Sequence, residues 1–160
     1  MSGILFVCTG NTCRSPMAAA LGARWMEERG LNVALPSAGL AAREGDPATP
    51  EAIQALAELG IDLKGHRARQ VTADLIANAD VILTMTASQR EYLQQLYPAA
   101  RDKTFTLQGY VREEGGKARP EEDIPDPYGR PLEVYRATAR KLASLVDQAL
   151  EKYHRSRQGE

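Results

Sequence analysis

Two thiols, a guanidinium and three hydroxyls fall within eight consecutive positions near the start of the chain, Cys8-Thr9-Gly10-Asn11-Thr12-Cys13-Arg14-Ser15. Residues 3–8 (GILFVC) are a short apolar run that reads as a buried strand. Residues 15–29 read as a helix, with Ser15 as N-cap, Pro16 at the first helical position, and Met17, Leu21 and Trp25 on one face before Gly30. A strand-to-helix turn in an open α/β sheet lies where such sheets bind ligands. Successive backbone N–H groups there form an anion-binding concavity, and the helix adds its positive end. Gly10 permits backbone geometry closed to other residues, and Asn11 tolerates a left-handed conformation. Arg14 supplies a planar fork able to hold two phosphate oxygens. Thiols at helix N-termini or beside cations ionise readily. Cys8 therefore reads as a nucleophile beneath a phosphoryl group held by residues 9–15. The competing reading, a buried cysteine that happens to end a strand, leaves Arg14 and the loop unexplained. The nucleotide-binding patterns G-x-x-x-x-G-K-[ST] and G-x-G-x-x-G are both absent.

The remaining elements must hold this turn at a sheet edge. Asn32 to Ala38 reads as a second strand. Thr49-Pro50 opens a helix with Ile53, Leu56 and Leu59 in period, and Thr72 to Ala79 reads as a short helix. Asp80 to Met85 is a third strand. Thr86 and Gln89 then form a capping box for a helix that Pro98 stops after Tyr97. Lys103 to Leu107 is a fourth strand, and Pro131 opens a long final helix striped by Leu132, Tyr135, Leu142, Leu145, Val146, Ala149 and Leu150. Strands alternating with helices predict an α/β fold of three layers, α-β-α, around a four-stranded parallel sheet. Residues 1–153 read as a single domain and 154–160 as a frayed tail. Residues 112–123 (REEGGKARPEED) read as a solvated charged loop.

Composition narrows the function classes. The 160 residues approximate one domain on the prior of ~150 residues per domain. Lys+Arg number 20 and Asp+Glu 21, so the basic excess expected of a nucleic-acid or anionic-membrane binder is missing. No apolar run approaches the roughly 20 residues of a membrane helix, and no secretory leader pattern opens the chain. The only cysteines are Cys8 and Cys13, which fits neither a disulfide scaffold nor a four-ligand zinc site. The expectation is a cytoplasmic, monomeric protein with no metal, no cofactor, no nucleic acid and no membrane partner.

The run C-x5-R-S directly after the first strand resembles the low-molecular-weight protein tyrosine phosphatase family. The likeness extends along essentially the whole chain, through Ser37-Ala38-Gly39, His66-Arg67-Ala68-Arg69 and Asp126-Pro127-Tyr128. It implies that Cys8 attacks phosphorus to form a cysteinyl-phosphate, and that Arg14 and the loop amides hold the equatorial oxygens. Asp126 would protonate the leaving group and then act as base on the hydrolytic water. Pro125 and Pro127 stiffen the segment around it, while nearby Asp123 competes for the acid role. Ser15 would donate to the Cys8 thiolate, and Asn11, Ser37 and His66 would hold the loop's shape. Cys13 would either pair reversibly with Cys8 under oxidation or serve as a small buried residue.

The implied substrates are phosphorylated proteins. Tyrosine-specific members of the family carry an aliphatic residue where Thr12 stands and aromatics around the pocket mouth. Here Tyr128 is followed by Gly129, and Leu40 to Asp46 contains no aromatic. Cys8 to Met17 (CTGNTCRSPM) is similar to the protein-arginine-phosphatase branch, in which threonine at the Thr12 position discriminates. A hydroxyl suits a planar, polar guanidinium better than a methyl does. Phosphoarginine is thus the expected substrate and phosphotyrosine the alternative. Arsenate reduction and a catalytically silent phosphate-binding module are more remote.

Overall fold

In the first strand, β1 (Ile4–Cys8), every residue is buried, and alternation sends its side chains to opposite faces of the sheet. Ile4, Phe6 and Cys8 join one apolar cluster with Met17, Trp25, Leu142 and Val146, whereas Leu5 and Val7 join another with Ile76, Ile82 and Leu93. The computed structural model describes residues 3–112 and 119–158. It contains α1 (Arg14–Glu28), β2 (Ser37–Gly39), α2 (Pro50–Ala57), α3 (Ala73–Asn78), β3 (Val81–Thr84), α4 (Ala87–Leu96), β4 (Thr104–Thr106), α5 (Leu107–Val111) and α6 (Leu132–Gln158). The four strands form one sheet in the order β2-β1-β3-β4, with every pairing parallel. Helix α6 packs against α1, α2 and α5 on one face, and α3 and α4 contribute to the apolar cluster on the other. The expected three-layer parallel fold is therefore observed.

Local chemistry sets the element ends. Thr49, Thr72 and Thr86 each accept a backbone N–H at the start of α2, α3 and α4. Thr86 and Gln89 make the anticipated reciprocal capping box, a feature worth about 1 kcal/mol. The second strand is shorter than expected, because Pro36 has no N–H to give the ladder; before it, Ala34 makes an isolated bridge with Gly3 and accepts Ile4 N at 3.3 Å. Ser15 is not the N-cap of α1. The helix begins one residue earlier, at Arg14, and the Ser15 hydroxyl is turned to Cys8 and Asn11 instead. The five-residue α5 went unforeseen, since too short a run lacks a readable period.

The tail expectation also needs correction, because α6 continues to Gln158. Asp80 Oδ2 accepts Tyr153 OH at 2.6 Å and pairs with Arg157 Nη1 at 2.8 Å, tying the last turns to the edge of β3. Residues 113–118 of the expected charged loop lie outside the described residues. Its end is ordered into a single 3-10 turn, Pro120–Glu122, and Glu122 forms an ion pair with Arg112 at 2.7 Å. No helix among the described residues is long and apolar enough to cross a membrane.

Candidate active site

The turn between β1 and α1 folds around Asn11, which has φ 58°, the one left-handed non-glycine among the described residues. That conformation is strained for most side chains, and here every polar group of the residue repays it with a hydrogen bond. The fully buried Asn11 donates from Nδ2 to Ser15 Oγ at 2.8 Å and to Ser37 Oγ at 3.0 Å. Its Oδ1 accepts Arg69 N at 3.0 Å, and its backbone N–H points at Cys8 Sγ, 3.3 Å away. Its carbonyl lies 2.7 Å from His66 Nε2; a carbonyl only accepts, so Nε2 carries the proton.

Burial is the main influence on His66, and it pushes the imidazole below its usual 6.5 against the opposing pull of the Asn11 carbonyl. A depressed histidine favours folding fully above the unfolded value of 6.5, and this contribution falls as pH drops toward the folded value. Wild-type protein is therefore expected to lose stability on acidification below about pH 6.5, and His66→Gln to lack that portion of the loss. Urea titrations of both proteins between pH 7.5 and 5 check this; parallel curves would remove the histidine from the acid response.

Gly39, at the end of β2, lets the turn sit against the sheet. A Cβ there would lie 2.6 Å from the Thr9 carbonyl oxygen and 3.1 Å from Asn11 Cβ. The backbones of Leu40 and Ala41 donate to Cys8 O at 3.0 Å and Thr9 O at 2.9 Å, and Thr49 N donates to Thr12 O at 3.1 Å. The loop is thus bonded to its neighbours along most of its length.

Cys8 Sγ lies 2.9 Å from Ser15 Oγ. The Ser15 oxygen already accepts from Asn11, so its own proton is free to point at sulfur. Arg14 is buried and fixed by a 2.8 Å bond from Nη1 to Ile124 O. Its Nε is buried without a hydrogen-bond partner among the described residues. Asp126, half exposed, places Oδ2 3.7 Å from Arg14 Nη2. Its Oδ1 accepts Tyr128 N at 3.1 Å, a local turn that holds the carboxylate. Cys8, Thr9, Gly10, Thr12, Cys13, Arg14, Asp126 and Tyr128 line one cleft of about 230 Å³.

The expected loop, base-of-cleft thiol and overhanging carboxylate thus converge. Asp123 does not join them: its Oδ1 accepts Ala87 N at 2.8 Å. Cys13, also on the cleft lining, has Sγ 3.4 Å from Tyr135 OH and 3.6 Å from Thr49 Oγ1, and burial pushes its thiol above the usual range. Three residues take supporting contacts that the sequence reading did not assign, although Arg69 stood in the His66–Arg69 motif. Gln89 reaches Thr9 Oγ1 through Nε2 at 3.0 Å, Arg69 Nε bonds Ser37 O at 3.1 Å, and Tyr135 holds Cys13. Gln89 showed itself only as a local cap, and no local pattern betrays a bond across 80 residues.

The cleft thus brings together a thiol, a turn of backbone amides, a guanidinium and a carboxylate. The family described as low molecular weight phosphotyrosine protein phosphatase matches residues 3–159. A protein-arginine-phosphatase of Geobacillus stearothermophilus is 45% identical over 93% of this chain and 94% of its own. Another from Bacillus subtilis is 40% identical over 96% and 98%. Among solved structures, a cysteine-to-serine mutant of the YwlE arginine phosphatase with a phosphorylated active-site serine superposes with a TM-score of 0.89. It is 39% identical and covers 99% of each chain. The chain belongs to the low molecular weight phosphotyrosine protein phosphatase family.

Proposed function

We propose that this chain is a cysteine-dependent protein phosphatase that hydrolyses phosphoarginine residues through a cysteinyl-phosphate intermediate. The observation that carries the chemistry is the shared cleft of Cys8, Arg14 and Asp126. Cys8 attacks phosphorus from below while the loop amides and Arg14 hold the equatorial oxygens, where charge redistributes. Asp126 hands a proton to the departing guanidine nitrogen, and later takes one from the water that cleaves the S–P bond. Ser15 stabilises the sulfur as it becomes the leaving group. Asn11, Ser37 and His66 keep the cradle in shape so that little reorganisation accompanies the reaction. When a peroxide oxidises the Cys8 thiolate to a sulfenic acid, the Cys13 thiol condenses with it, forming the disulfide and releasing water.

Substrate choice rests on Thr12, which lines the cleft and also a second groove running past Arg43, Asp46 and Thr49. Its hydroxyl offers a polar wall to a guanidinium, and the relatives' names favour the same substrate. Phosphotyrosine is the second reading, because Tyr128, 68% exposed at the mouth, offers a face to a phenyl ring. Thr12→Ile is expected to lower the ratio of kcat/KM for matched phosphoarginine and phosphotyrosine peptides by roughly 10-fold or more. A wild type that prefers phosphotyrosine, or a ratio unmoved by the substitution, overturns the phosphoarginine assignment.

A further inference from the structure

The corner between β3 and α4 ties the phosphate-binding loop to the segment that carries Asp126. On one side Gln89, buried within the capping box, donates from Nε2 to Thr9 Oγ1 at 3.0 Å. Its Oε1 accepts Met85 N at 3.0 Å and Thr86 N at 3.1 Å. On the other side Ala87, the first residue of α4, donates its N–H to Asp123 Oδ1 at 2.8 Å. Ile124 N donates to Met85 O at 3.0 Å, and Ile124 O receives Arg14 Nη1 at 2.8 Å.

Only Ile124 and Pro125 separate Asp123 from Asp126. Pro125 has its φ locked, and both Ile124 and Asp126 precede prolines, which bars them from the helical region. A displacement at Asp123 therefore has few torsions in which to dissipate before it reaches the Asp126 carboxylate. A carboxylate half exposed and held by one turn bond needs such an anchor, because its 3.7 Å contact with Arg14 is too long and too solvated to fix it alone.

We propose that Asp123 is a positioning residue for the general acid: its bond to the Ala87 N–H sets the place from which Asp126 reaches the leaving group. The inference rests on the phosphatase reading given above. Asp123 itself touches no substrate. Its influence falls on one proton transfer, which matters more as the leaving group becomes more basic. A loss of general loop integrity, in contrast, slows all substrates alike.

The test is kcat/KM across aryl phosphates from 2,4-dinitrophenyl to phenyl, for wild type, Asp126→Ala, Asp123→Ala, Asp123→Asn and Ala87→Pro. Inhibition by inorganic phosphate reports on the loop in each. Asp123→Ala is expected to lose roughly 10-fold more on phenyl phosphate than on dinitrophenyl phosphate, in the direction of Asp126→Ala, with phosphate inhibition unchanged. Asp123→Asn retains an acceptor for the Ala87 N–H and keeps the wild-type dependence. If Asp123→Ala does not fold, Ala87→Pro deletes the same bond from the donor side, at a helix position where proline is tolerated, and must show the same selective loss. A wild-type leaving-group dependence in the folded variant, or an equal loss on all substrates, overturns the proposal. A wild-type protein that turns over no aryl phosphate overturns the phosphatase reading instead.

Discussion

Cys8→Ser is expected to lower kcat by roughly 10⁴-fold or more while inorganic phosphate still binds. The two functions separate because they use different atoms. In the proposed mechanism binding draws on the loop amides, the Arg14 guanidinium and the start of α1, all of which the variant retains. Bond formation needs the sulfur, which sits at the end of a fully buried strand with Ser15 Oγ at 2.9 Å and the Asn11 amide at 3.3 Å. A serine hydroxyl placed there has no base beside it to take its proton, so it stays a poor nucleophile. Steady-state rates with an aryl phosphate, set against calorimetric titration with phosphate, measure both halves. A variant that binds phosphate and still turns over within tenfold of wild type would place the nucleophile elsewhere.

Arg14→Lys is expected to cost roughly 10²–10³-fold in kcat, about 3–4 kcal/mol of transition-state stabilisation, despite conserving the charge. Arg14 divides its donors: Nη1 holds the Ile124 carbonyl, Nη2 faces Asp126, and the buried Nε points to no protein partner. A lysine ammonium is one compact donor group that cannot brace the acid segment and grip two phosphoryl oxygens together. Because Arg14 joins phosphate and acid segment, the substitution should weaken phosphate inhibition as well as turnover. A variant with near-normal kcat and raised KM alone would show that Arg14 binds the ground state and the transition state equally.

Much of this site was readable in sequence for a physical reason. A phosphate cradle made of consecutive amides is local, so Cys8 through Ser15 had to appear as one unbroken run. The helix caps were legible for the same reason, as Thr86 and Gln89 show. Asp126 came into view only through its resemblance to a family motif, since nothing local ties residue 126 to residue 8. Contacts that cross the fold left no local trace in two cases, Gln89 to Thr9 and Tyr135 to Cys13, while Arg69, which reaches Asn11, showed only as part of a family-like motif. Ser15 was misread in its role because a serine before a proline looks like a cap, and only the folded turn reveals that sulfur and Asn11 have the stronger claim on its hydroxyl. The tail was misread because the Asp80 carboxylate that holds Tyr153 and Arg157 is 73 and 77 residues away.

The central claim is that the phosphoryl group of phosphoarginine passes through the sulfur of Cys8. Rapid acid-free quenching of wild-type protein mixed with a phosphoarginine peptide, followed by peptide mass mapping, tests it most directly. A transient phosphoryl mass increment on the peptide containing Cys8, appearing before free phosphate and decaying as phosphate is released, is the predicted result. Phosphate release with no covalent increment at Cys8, or an increment carried by another residue, would contradict it.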